Sequence, residues 1–199
     1  SQYRLYYTKT SASDSSQRGI IGTLRPNGFQ WSETLGIEVT AIGSNFDNNG
    51  VEVYYHGDTN GFVYLHDTGN NFNGSAIDAR YQTPNYEYGD FGTLKTLHYI
   101  KISFGPEDEI QPDLRVRFDY DSLDIPQPAD ITLDSVPAPS VFGTAVFATN
   151  KFGASEQPLV RIPLVGSGNS NNFRIQSNDT KASYIVNGFY VDYIPSGRR

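Results

Sequence analysis

Turn signals recur along this chain too often for a long helix to form between them. Asp47-Asn48-Asn49-Gly50 precedes the alternating run Val51–Tyr55, and Asp58-Thr59-Asn60-Gly61 precedes Phe62–His66. An Asn-Gly step between alternating apolar residues is the strongest short-range hairpin signal, because Asn and Gly tolerate the left-handed backbone a tight reversal needs. Arg25-Pro26-Asn27-Gly28 carries the same message, with proline fixing φ ahead of Asn-Gly. The 19 Gly and 11 Pro lie along the whole chain, and no Ala/Glu/Lys/Leu run at helical spacing separates them. Aromatic residues make up 14% of the sequence and suit a half-buried pleated surface. The expected class is all-β.

Taken in order, Tyr3–Tyr7, Ile20–Leu24, Phe29–Ser32, Ile37–Phe46, Val51–Tyr55 and Phe62–His66 read as strands at spacings of about 8 to 12 residues, the rhythm of a β-meander. A Ser-rich loop from Ser11 to Gln17 interrupts the first two. The phrase VEVYYHGDTNGFVYLHDTG has the look of propeller blades, although only a partial propeller of one or so blades fits in this length. Residues 1–76 are therefore expected to be a propeller-blade-like meander. The stretch Gly61–Thr96 reads as the hinge at which the chain divides.

Residues 77–199 are expected to form a β-sandwich of jelly-roll type. Its strands would be Ile77–Tyr88, Lys95–Phe104, Leu114–Tyr120, Val141–Ala148, Leu159–Val165, Asn172–Gln176 and Tyr184–Tyr193. The run Leu114–Tyr120 alternates apolar and charged residues, as a half-solvated strand does. Residues 121–140 carry Pro126, Pro128, Pro137 and Pro139, which excludes a central strand and makes this a long irregular connection.

The chain has no Cys, which removes disulfide and thiolate chemistry. It begins Ser1-Gln2, holds no Met and enters a strand pattern at once, so it reads as a fragment of something longer. No apolar run approaches the roughly 18 to 20 residues of a spanning helix. The net charge of −7 argues against a broad nucleic-acid-binding surface, while a negative wall past which DNA slides without sticking stays compatible.

No catalytic, cofactor-binding or metal-ligating residue is expected. His56 and His66 close neighbouring hairpin strands near Asp58 and Asp67, yet no ligand spacing supports a metal, and polar strand ends facing water or a subunit are expected. The third histidine is His98. Glu107-Asp108-Glu109 and Asp119, Asp121 and Asp124 read as a solvated acidic surface. A Ca²⁺ site on the last three lacks the turn Gly and closing Glu of an EF-hand loop. Gly166-Ser167-Gly168 lacks the Lys-Ser/Thr of a phosphate loop and reads as a turn, and no Gly-x-Ser-x-Gly elbow is present. Gly197-Arg198-Arg199 reads as a frayed basic tail able to dock on an acidic neighbour. Tyr54, Tyr55, Tyr64, Tyr81, Tyr86, Tyr88 and Tyr99 could stack on sugars, but strand interiors and subunit contacts are the favoured reading.

The punctuation from about Gly57 onward resembles a known family. Tyr64-Leu65-His66-Asp67-Thr68-Gly69, Phe72-Asn73-Gly74 with Ile77, Tyr81-Gln82-Thr83-Pro84, Tyr88-Gly89-Asp90, Leu94-Lys95-Thr96-Leu97, Gly166-Ser167-Gly168, Gly188-Phe189-Tyr190-Val191-Asp192-Tyr193 and Gly197-Arg198-Arg199 carry the likeness. Together they look like the C-terminal part of the tail nozzle proteins of short-tailed phages, also called tail tubular protein B or stabilisation proteins. The resemblance implies a non-enzymatic virion component with no cofactor. It implies a homo-hexameric ring beneath the portal and adaptor that continues the DNA channel, retains the genome and anchors fibres or other tail proteins. A receptor- or carbohydrate-binding β-sandwich module of a phage tail is the alternative. A polysaccharide-cleaving tailspike fragment would have to rest on Asp119 and Asp121.

Overall fold

A computed structural model of the chain describes residues 2–10, 16–106, 109–134, 136 and 159–198. The expected strand Val141–Ala148, most of the Ser-rich loop, Glu107, Asp108, Pro137, Pro139 and Arg199 lie outside the described residues. The protein is all-β, with several antiparallel sheets, none of them closed. The chain divides into two compact units, Ser1–Phe72 and Asn73–Arg199.

The first unit is two three-stranded meanders. In one, β1 (Gln2–Thr8), β2 (Gln17–Arg25) and β3 (Gly28–Leu35) lie in sequence order. In the other, β4 (Ala41–Phe46), β5 (Glu52–Gly57) and β6 (Val63–Leu65) do the same. Their hairpins form for the reason the sequence gives. The Asp47 carboxylate accepts the Asn49 and Val51 amides, each at 2.8 Å, and Asp58 accepts those of Asn60 and Phe62 at 2.8 and 2.9 Å. These side-chain-closed turns set the register. The strand expected from Ile37 begins only at Ala41, because residues 37–40 carry the chain from one sheet to the other, where the Thr40 amide reaches the Gly57 carbonyl at 2.8 Å.

In the second unit, two sheets line one apolar core. The first holds β7 (Ile77–Gln82), β9 (Asp113–Phe118), β10 (Ile131–Thr132) and β13 (Asn171–Asp179) in the order β10-β9-β13-β7. The second is built on β8 (Thr93–Pro106), which pairs along one edge with β11 (Leu159–Pro163) and β12 (Ser167–Gly168) and along the other with β14 (Tyr184–Arg198). Leu97, Ile100, Ile102 and Phe104 of β8 meet Leu114, Val116 and Phe118 of β9 and Phe173 and Ile175 of β13 in that core.

Two expectations are corrected here. The strand expected to reach Tyr88 stops at Gln82, before Thr83-Pro84, where proline removes a ladder donor; Tyr86 then makes an isolated bridge to Asn171. Within residues 121–140 lie the short edge strand β10 and Val136, which bridges Ile110. Ser167 and Gly168 form a strand against Lys95 and Thr96 and not a turn. Both flanking glycines press on Phe118, which is 1% exposed; a Cβ on Gly168 would sit 2.7 Å from its ring. Only glycine lets this strand approach so closely.

Candidate functional site

The β1–β2–β3 sheet is turned inside out relative to ordinary half-buried sheets, which hide the apolar face. Direct pairing aligns Tyr3 with Gly22 and Trp31, Leu5 with Ile20 and Glu33, and Tyr7 with Arg18 and Leu35. With Leu24 and Phe29, these residues share one face, and most of them are exposed: Trp31 retains 60% of its accessible surface. Phe29 stacks on Trp31 with centroids 5.4 Å apart, and Tyr3 meets the indole edge-on at 6.4 Å. Gly22 makes room for the indole, since a Cβ there would lie 2.6 Å from it. Arg18 and Glu33 on this face form an ion pair at 2.8 Å. The result is a continuous aromatic and aliphatic surface of a kind that marks interaction sites.

The opposite face is polar and packs within the unit. Arg4, whose side chain is only 5% exposed, pairs with Asp67 and lies over the Tyr54 ring, 4.5 Å from its centroid. Two residues on, the Tyr6 hydroxyl approaches His66 Nδ1 at 3.4 Å, and His66 Nε2 lies 2.8 Å from His56 Nδ1. His56 in turn stacks on Tyr64, whose hydroxyl donates to Asp58 at 3.2 Å. The two histidines therefore meet, as their strand positions imply. Burial holds both imidazoles below their ordinary pKa, and for His66 the neighbouring His56 and Arg4 add to the effect. The contact requires at least one neutral ring, since one nitrogen must donate and the other accept. With Asp67 held by Arg4 and Asp58 by the Asn60 and Phe62 amides, the arrangement is a packed polar seam between sheets.

Among the described residues of the second unit, the acidic side chains do not converge. Asp119 accepts the Asn169 and Ser170 amides at 2.8 and 2.9 Å, and Asp121 lies 3.3 Å from the Arg117 guanidinium. Asp119, Tyr120 and Asp121 all have positive φ, so this short 3-10 turn is a backbone reversal braced by carboxylate capping. Among the described residues, no three His, Asp or Glu side chains gather at metal-binding distance. His98, in the second unit, lies 3.5 Å from Asp192. Of the tyrosines, Tyr86 and Tyr88 pack with Phe189 and Tyr193 of β14, while Tyr55 and Tyr81 are exposed.

The exposed apolar face was not anticipated from sequence, although Tyr3-Leu5-Tyr7 and Phe29-Trp31 at alternate positions carry its signal. No helix among the described residues is long and apolar enough to cross a membrane. No protein-family model matches the chain, and a search of curated proteins finds no significant relative.

Proposed function

We propose that this chain is a structural, non-enzymatic part of a short-tailed phage tail, a nozzle or tail-tube subunit of the virion. In this reading, six copies form a ring that continues the DNA channel, retains the genome and anchors other tail proteins. The observation that carries it is the outward apolar face of Tyr3, Leu5, Phe29 and Trp31, which leaves the first unit dependent on a neighbouring copy for cover. The successive meanders of that unit support a blade-like role, and the shared core of the second unit supports a sandwich of jelly-roll type. The net charge of −7 suits a wall past which DNA moves without being held. Native mass spectrometry with electron microscopy tests the reading. Sixfold rings are expected, and a chain that never assembles alone or with tail components excludes it.

The stacked Phe29 and Trp31 rings also favour the second reading, a receptor- or carbohydrate-binding tail module, because exposed flat rings suit sugar faces. Glycan-array binding that disappears in Trp31→Ala would select it over the scaffold.

A further inference from the structure

The outer face of the β10-β9-β13-β7 sheet gathers positive charge on an acidic chain. Register places Arg174 of β13 directly opposite Arg115 of β9 and Gln82 of β7, and Asn172 opposite Arg117. These five side chains, with Asn85, Tyr120 and the Arg117-paired Asp121, line a cavity of about 180 Å³. Arg117 is fully engaged: it donates to the Val116 and Pro128 carbonyls at 2.7 and 2.9 Å and pairs with Asp130 at 2.9 Å and Asp121 at 3.3 Å. Its neighbours are not. Arg115 Nε lies 3.6 Å from Asp130, beyond hydrogen-bond range, and Arg174 makes no hydrogen bond or ion pair among the described residues. The Nε atoms of both arginines are buried without an acceptor.

Like charges directly opposite on paired strands destabilise a sheet. Buried guanidinium donors without acceptors add a further penalty. A bound anion bridging Arg115 and Arg174 relieves both at once. Burial lowers the Arg174 pKa, and Arg115, Arg80 and Arg117 add to that effect while Asp130 offsets part of it. Arg80 is paired with Asp78, and Tyr120 at the rim donates to Glu87 at 3.0 Å, so the carboxylates nearby are already committed. Asn172, 6% exposed and held to Asn85 at 3.1 Å, fixes the amide wall.

We propose that this cavity binds one compact oxyanion, a carboxylate or phosphate group, between the guanidiniums of Arg115 and Arg174, with the amides of Gln82 and Asn172 beside it. Planar forked donors match such groups in a bidentate manner. The inference is independent of the scaffold reading, because it rests on the second unit alone.

Side-chain ¹H–¹⁵N spectra of the arginine Nε–H groups in the whole chain test it, with inorganic phosphate, glucuronate and glucose as titrants at low ionic strength. Saturable shifts of the Arg115 and Arg174 signals are expected with the two anions and not with glucose. Tighter phosphate binding assigns a phosphoryl ligand, and tighter glucuronate binding an acidic sugar. Arg174→Gln should weaken binding by about tenfold or more without lowering the thermal midpoint, and Arg174→Lys should retain part of it. Should Arg174→Gln fail to fold, Arg115→Gln and the unmodified titration decide. Signals unmoved by either anion, equal movement by glucose, or shifts produced by duplex DNA with which phosphate does not compete would overturn the assignment.

Discussion

The two units use the same kinds of residue and put them to opposite use. Every fully buried hydrophobic side chain among the described residues belongs to the second unit, where β8, β9 and β13 close over Ile102, Phe118 and Phe173. The first unit spends its inner face on Arg4, Tyr6, His56 and His66 and leaves Tyr3, Leu5, Phe29 and Trp31 outside. Alternation thus defines two faces on a strand without saying which one is covered.

That contrast can be broken or sharpened by experiment. The largest effect is expected in the second unit: Phe118→Ala removes a ring packed against Gly166 and Gly168 and should cost about 3 to 5 kcal/mol, read as a lower urea midpoint by circular dichroism. A loss under about 1 kcal/mol would mean that the core is not where the stability lies. Gly168→Ala forces a methyl into the same ring and should destabilise by about 1 to 3 kcal/mol in the same assay.

The third expectation concerns pH and the first unit, which Trp31, the only tryptophan, reports by fluorescence. Both His56 and His66 have lowered pKa values in the folded state, so the unfolded chain binds protons that the folded unit refuses. Stability present above about pH 6.5 is lost as pH falls through the lowered folded-state values. The double variant His56→Gln and His66→Gln should flatten that dependence, and an unchanged pH profile would show that the pair does not set it. The smallest effect belongs to the outer face, where Trp31→Gln should change the stability of the dilute chain by no more than about 0.5 kcal/mol, followed by circular dichroism. A loss of several kcal/mol would place Trp31 in a core after all.

Much of the fold is legible in the residues. Asp47, Asp58 and Pro26-Asn27-Gly28 locate hairpins because their physics is local. What escapes sequence reading is set at a distance. Arg115, Arg117 and Arg174 each look like the solvated half of an alternating strand, and only the non-sequential order β9-β13-β7 brings them to one cavity. Ser167-Gly168 resembles a turn until Phe118, remote in sequence, occupies the space a side chain would need. His56 and His66 are the intermediate case: neighbouring hairpin strands put them close, whereas their contact with Tyr6 depends on how β1 faces the second meander.

The measurement that bears most directly on the outward apolar face is Trp31 emission and acrylamide quenching followed against sedimentation velocity over a concentration series. Blue-shifted, shielded emission that tracks formation of a larger species, with both changes abolished in Leu5→Glu, is the expected result. A chain that stays monomeric across the series with Trp31 fully quenchable, or that assembles while Trp31 stays exposed, would contradict it.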